Sequence, residues 1–286
     1  MPSVDESIHR RKLGPTSYLE TGSGRPILLV HGLHATASYW TGVAEALGQR
    51  FRVIAPDLLG FGESDSPSAD GYMEEQAHAL FHLLRGLQVD RLHVGAHDFG
   101  GPVVMTLMRL HPGLQVEGVV LSNTNMFTDT YVPPPLRTAG VPIIGSLVYR
   151  VMAGSRFGLR MTYQMAVARK DKVSYAQFSQ EVDARNLRIT QEIFERSLAD
   201  LPGNYRDVDL QLHKTRAPVL VLWGDKDPFF ALSVGHRTAR SAPSGLFQAI
   251  HGAGHFPALE DPPAFAGAVI ERFGSAPGAH RQRADW

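Results

Sequence analysis

Arg91-Leu-His-Val-Gly-Ala-His-Asp98-Phe-Gly-Gly-Pro-Val-Val104 reads as an apolar strand, a tight turn flanked by glycine, and the opening of an amphipathic helix. A strand-to-helix elbow of the form small-x-nucleophile-x-Gly turns so sharply that its central side chain is held out of the backbone. The side chain at this apex is a carboxylate, Asp98. Aspartate is also a favoured helix N-cap, so the turn on its own requires no chemistry.

Upstream, Tyr18 to Gly24 reads as a strand ending in a hairpin turn, followed by the buried run from Pro26 to Gly32. A helical stretch after Thr36-Ala-Ser to about Leu47, a second buried strand from Phe51 to Asp57 and a helix from Glu74 to Leu87 lead into the elbow. Beyond it, the elbow helix runs to about His111 and Val116 to Ser122 is another buried strand. Strands alternating with helices at this spacing imply a doubly wound α/β fold with a mostly parallel sheet. From about Met126 to Leu212 that rhythm stops: Pro133-Pro134-Pro135 interrupts, and helical segments rich in Met, Tyr and Arg follow. This stretch reads as an inserted helical cap, residues 126–212, on a core of residues 1–125 and 213–286. The rhythm resumes with a strand at Ala217 to Gly224, a helix at Leu232 to Ser241, a strand at Gly245 to Ile250 and a helix at Pro263 to Phe273. Residues 275–286 read as a flexible tail.

A chain of 286 residues with 43% hydrophobic content can bury one large core. Lys+Arg and Asp+Glu are both 28, and no dense basic run stands out to attract nucleic acid or anionic lipid. The charge balance instead suits a small, uncharged substrate. With no cysteine, disulfides, thiolate nucleophiles and cysteine-ligated metals are excluded. The polar N-terminus carries no secretory h-region, and no apolar run approaches the ~20 residues of a membrane span. A cytoplasmic location is expected.

Two polar turns follow the late strands, Trp223-Gly-Asp225-Lys-Asp227-Pro228 and His251-Gly-Ala-Gly-His255-Phe-Pro257, so the chain offers nucleophile, acid and histidine in that order. His31-Gly32, Asp57-x-x-Gly60-x-Gly62-x-Ser64, the elbow, Gly224-x-x-Asp227 and Gly254-His255 together resemble the α/β-hydrolase superfamily over nearly the whole chain. Asp98-Phe99-Gly100 also spells a kinase metal-binding signature, but the glycine-rich loop, strand lysine and catalytic-loop motif that accompany it are absent.

Within the superfamily, an elbow aspartate resembles the epoxide hydrolases and the haloalkane or haloacid dehalogenases. The swap from serine is chemically intelligible. Serine needs a base to become a nucleophile, whereas a carboxylate with a reference pKa of about 3.9 is already ionised at pH 7. It can attack an sp3 carbon and leave an alkyl ester on Asp98. The resemblance implies that His255 then deprotonates a water that attacks the ester, that Asp227 fixes the imidazole, and that the backbone N–H groups of Leu33 and Phe99 receive the oxyanion. Asp225 is second to Asp227 as the acid; Asn123 and Asn125 stand at the other place where the family carries it. His31 and His97 read as packing residues, and Trp40 and Trp223 as core aromatics. No cofactor and no metal are implied.

Haloalkane dehalogenases hold the departing halide with a tryptophan just after the nucleophile and a second Trp or Asn. This chain has Phe99 and Leu33 at the corresponding positions, and no tryptophan in the expected cap. Fluoroacetate-type dehalogenases carry arginine after the nucleophile, which is also missing. Epoxide hydrolases protonate the leaving oxygen with cap tyrosines, whose hydroxyls are neutral donors near pH 7. The expected cap holds Tyr131, Tyr149, Tyr163, Tyr175 and Tyr205; Asn204-Tyr205-Arg206 resembles the epoxide hydrolase segment that carries one of the two acids. Tyr205 is the first choice as acid, with Tyr149 or Tyr163 as its partner. Against the usual His-Gly-x-Pro of those enzymes, the chain has His34 in place of proline. The expected activity is opening of a small or medium apolar epoxide to a diol with water. The alternatives are dehalogenation, other hydrolysis at Asp98, or a non-catalytic relative that keeps the pocket.

Overall fold

A computed structural model describes residues 8–68, 72–130, 155–181 and 187–274. In chain order the elements are β1 (His9–Leu13), β2 (Thr16–Thr21), β3 (Arg25–Val30), α1 (Thr41–Leu47), β4 (Phe51–Pro56), α2 (Met73–Gly86), β5 (Arg91–His97), α3 (Gly100–Leu110) and β6 (Gln115–Ser122). There follow α4 (Arg156–Ala166), α5 (Tyr175–Glu181), α6 (Leu187–Ala199), α7 (Leu201–Lys214), β7 (Val219–Gly224), α8 (Leu232–Ser241), β8 (Gly245–Ile250), α9 (Pro257–Glu260) and α10 (Pro262–Phe273). Tyr131, Tyr149, the proline run and the expected tail lie outside the described residues.

The strands form one sheet in the order β1-β2-β4-β3-β5-β6-β7-β8. Pairing from β4 through β8 is parallel throughout, while β1 and β2 are antiparallel. Helices cover both faces, and this is why the central strands are written as continuous apolar runs. Along β3, Leu28 and Val30 enter the layer under α2 and α3, while Ile27 and Leu29 enter the layer under α1 and α10. Trp223 belongs to the first layer and Trp40 to the second, both fully buried.

The hairpin expected after Tyr18 to Gly24 is corrected by the sheet. β2 pairs with β1 and β4, and β3 lies beyond β4, so Gly22 to Gly24 joins two strands that are not neighbours. The hairpin partner is β1, whose sequence His-Arg-Arg-Lys-Leu leaves four side chains exposed and so shows no apolar alternation. It is held partly through Arg10, which donates to the fully buried Asp57 at 2.6 Å. Asp57 also accepts the Ala37 N–H at 2.7 Å, which pins the loop after β3.

α7 runs through residue 212, where the cap was expected to end, and its Val208 and Leu212 sit in the same core layer as Val103 and Val104 of α3. It therefore carries Tyr205 back over the elbow helix. Among the described residues, no helix is long and apolar enough to cross a membrane.

Candidate active site

β5 ends at His97 and α3 begins at Gly100, so Asp98 stands at the turn with φ +50°. Left-handed backbone is costly for most L-residues and least so for Asn and Asp, whose short polar side chains bond locally. Two close approaches make the turn possible. A Cβ on Gly32 would lie 2.4 Å from the Cβ of Asp98, and one on Gly100 would lie 2.5 Å from the Val30 carbonyl oxygen. The Asp98 backbone is fixed on both sides: its N–H donates to Ser122 O at 3.2 Å, and its carbonyl accepts the Thr124 hydroxyl at 2.6 Å.

The two carboxylate oxygens of Asp98 face different groups. Oδ1 accepts the Leu33 N–H at 2.9 Å, while Oδ2 lies 3.8 Å from His255 Nε2. The side chain is 19% exposed, so a small molecule can reach it. The Phe99 N–H belongs to the residue directly after Asp98, and the Phe99 ring is buried against that of Tyr72, with centroids 5.9 Å apart.

His255 Nδ1 and Asp227 Oδ2 are 3.0 Å apart, so Nδ1 carries the proton and donates, and in the neutral ring Nε2 is left with its lone pair toward Asp98. Asp227 is itself oriented by three donors: Asn123 Nδ2 at 2.7 Å and the N–H groups of Phe229 and Phe230 at 2.8 and 3.2 Å. Asp225 turns away, accepting from Gly252 N at 2.8 Å and lying 3.2 Å from the exposed ring of His251. Burial pulls the His255 pKa down, but the charge and hydrogen bond of Asp227, with Asp98 and Glu260 behind them, carry it above 6.5. Burial pushes Asp227 up, and the His255 charge and the donors around it more than reverse this, leaving it below 3.8.

His31 and His97 are both buried and hydrogen-bonded around the site. His31 accepts the Leu58 N–H on Nε2 at 3.0 Å, so its Nδ1 carries the proton and donates to Gly32 O at 2.8 Å, bracing the loop that presents Leu33. His97 donates from Nε2 to the His255 carbonyl at 2.8 Å, and its ring lies between Tyr39 and His255. Burial holds the pKa of His34 down to about 4, so this ring is neutral at pH 7.

Tyr205, on α7, is buried, and its pKa is pushed well above 10 by burial, then by Tyr72 and Asp98, against a hydrogen bond shared with Ser197. It thus stays protonated beside the elbow. The Tyr72 hydroxyl lies 3.2 Å from the same Ser197 Oγ, which in turn donates to Ile193 O at 2.8 Å. Two phenols therefore converge on one serine, and the Tyr72 ring packs against Phe99. Tyr163 is placed apart from them; its hydroxyl donates to Val173 O at 2.8 Å and its ring packs on Tyr175 and Phe178. Tyr72 and Ser197 escaped the sequence reading, which sought phenols only in the cap. Asn123 was noticed only as a substitute for an acid, and it proves to be that acid's hydrogen-bond donor.

Comparisons with known proteins agree with this fold. The alpha/beta hydrolase fold family matches residues 25–262. The chain is 32% identical over 265 residues to an uncharacterized protein of Mycobacterium tuberculosis, spanning 88% of this chain and 76% of that one. It is 29% identical over 277 residues to haloalkane dehalogenase 2 of Mycobacterium bovis, spanning 91% and 92%. A crystal structure of a haloalkane dehalogenase from Bradyrhizobium elkani superposes with a TM-score of 0.77 at 18% identity, over 93% of this chain and 97% of that one. With an eight-stranded, mostly parallel sheet and a matched stretch running from β3 to the start of α10, the chain belongs to the α/β-hydrolase family.

Proposed function

We propose that the protein hydrolyses apolar epoxides through an alkyl ester on Asp98. The observation that carries this reading is the division of the Asp98 carboxylate, with Oδ1 on the Leu33 N–H and Oδ2 turned to the Asp227-oriented His255. Oδ2 attacks an epoxide carbon, the C–O bond breaks toward oxygen, and Tyr205, with Tyr72 beside it, gives that oxygen a proton. Water then adds to Cγ of the ester as His255 Nε2 takes one of its protons. The charge develops on Oδ1, where the Leu33 N–H already points, joined by that of Phe99. Collapse expels the diol oxygen, which takes the proton from His255. The second water proton restores the phenol, and one water oxygen stays in Asp98.

Aromatic rings surround the imidazole, with Phe229 and Phe230 at 5.0 and 5.7 Å between centroids, which suits an apolar substrate. Haloalkane dehalogenation is the second reading, favoured by the 29% identity to a haloalkane dehalogenase. It shares every step at Asp98 and His255 and differs in the leaving group. Phe99 and Leu33 bring no side-chain N–H to a halide, whereas two phenols stand ready for an alkoxide.

Turnover of styrene oxide and of 1-bromobutane separates the two readings. Diol release is expected, and Tyr205→Phe is expected to slow alkylation by the epoxide by about 10²-fold, the usual range for a lost general acid. Bromide release without diol would transfer the assignment to dehalogenation, and an unchanged rate of alkylation by the epoxide in Tyr205→Phe would remove Tyr205 as the acid.

A further inference from the structure

We propose that Glu260 is a positioning residue of the site, whose carboxylate binds the His255 loop to the turn that follows α4 and sets the imidazole in place. The proposal rests on the reading of His255 as the base. Glu260 closes the short α9 and is 2% exposed. Oε1 accepts the N–H groups of Gly254 and Phe256, the two residues flanking His255, at 2.9 and 3.3 Å. Oε2 accepts those of Ala168 and Arg169 at 2.8 Å each. Four backbone donors thus share one buried side chain, two on each oxygen. Such a site demands acceptors on both oxygens, which a carboxylate supplies and a carboxamide does not.

The segment beyond α4 touches the histidine loop in other ways. His255 N–H donates to Ala166 O at 2.8 Å. Arg169 donates from Nη2 to His251 O at 2.7 Å and also pairs with Asp261. On the opposite side, His97 fixes the His255 carbonyl. The backbone around His255 is therefore held by the elbow strand through His97 and by the turn after α4 through Glu260. An imidazole that must sit within hydrogen-bond reach of both Asp227 and an attacking water tolerates little displacement. Glu260 contributes twice, by holding both neighbours of His255 and by placing a fixed negative charge near the ring. The ionisable groups facing that ring are Asp227, Asp98 and Glu260, with His97 packed against it.

The test reads the imidazole directly and without substrate, so it is independent of which bond the enzyme breaks. The ring nitrogens of His255 are titrated by NMR in wild type and in Glu260→Gln, with circular dichroism confirming the fold. The expected result is a His255 midpoint shifted down in the variant. An unchanged His255 midpoint in a folded Glu260→Gln overturns the proposal. Where that variant fails to fold, amide hydrogen exchange in the wild type decides. Shared protection of Gly254, Phe256, Ala168 and Arg169 after correction for intrinsic rates is expected of one clamp, and independent exchange of the two pairs overturns it.

Discussion

Asp98→Ala is expected to abolish diol formation, by about 10⁴-fold or more, in a protein that still folds. The magnitude follows from the loss of a covalent nucleophile, for which the remaining donors and histidine provide no substitute. Folding survives because the carboxylate carries little of the structure. Its hydrogen bond with Leu33 N is worth about 1 kcal/mol, and alanine at the φ of +50° adds roughly 1–2 kcal/mol of backbone strain. The turn itself is held by backbone contacts to Ser122 and Thr124 that alanine keeps. Since Asp98 is among the charges that raise the His255 pKa, the variant also titrates His255 at a lower pH than wild type. Diol release and a thermal melt check the first two expectations. Activity within tenfold of wild type would remove Asp98 from the mechanism.

The second large effect is expected from Asp227→Asn, on ester hydrolysis and not on alkylation. The N–H groups of Phe229 and Phe230 donate to Oδ1 of Asp227, so the amide oxygen of an asparagine takes that place and its NH₂ faces His255 Nδ1 and the Asn123 amide. Donor then meets donor unless the imidazole moves its proton to Nε2, where the base needs its lone pair. A wrong tautomer of this kind costs on the order of 10⁴ in rate.

The pH dependence has a definite sign. The proposed mechanism requires a neutral base, and the carboxylates around His255 raise its pKa above 6.5 in spite of burial. Ester hydrolysis therefore falls as pH drops through the His255 midpoint of the ester intermediate, and Asp227→Asn moves that limb to lower pH. Alkylation removes the Asp98 charge, so the limb in the ester intermediate lies below the His255 midpoint of the free enzyme. For stability the same shift works the other way. The His255 contribution is full below 6.5 and is lost as pH rises through the folded value. Asp227, held below 3.8, contributes above that pH and loses its share as pH falls through its folded value. Single-turnover kinetics with styrene oxide across pH separate the two steps; equal slowing of alkylation and hydrolysis in Asp227→Asn would contradict this division of labour.

The parallel strands and the elbow were readable because burial on both faces writes them as unbroken apolar runs, punctuated by glycines where Asp98 meets Gly32. β1 was not, since an edge strand of charged residues carries no alternation, and the pairing of β2 with β4 is a non-local choice that local turn signals misreport. The order of Asp98, Asp227 and His255 was legible because each follows a strand end. The surroundings of those residues were not. Asn123 reaches Asp227 across 104 positions, and Tyr72, just before α2, meets Ser197 of α6 and Tyr205 of α7, a meeting that depends on helix packing and not on any local pattern.

The ester on Asp98 is the central claim, and trapping it is the direct test. His255→Gln incubated with styrene oxide and weighed intact is expected to gain the mass of one epoxide, with peptide mapping placing the addition on Asp98. A His255→Gln protein that gains no mass, beside a wild type that releases diol, would mean that water attacks the substrate without an alkyl-enzyme ester.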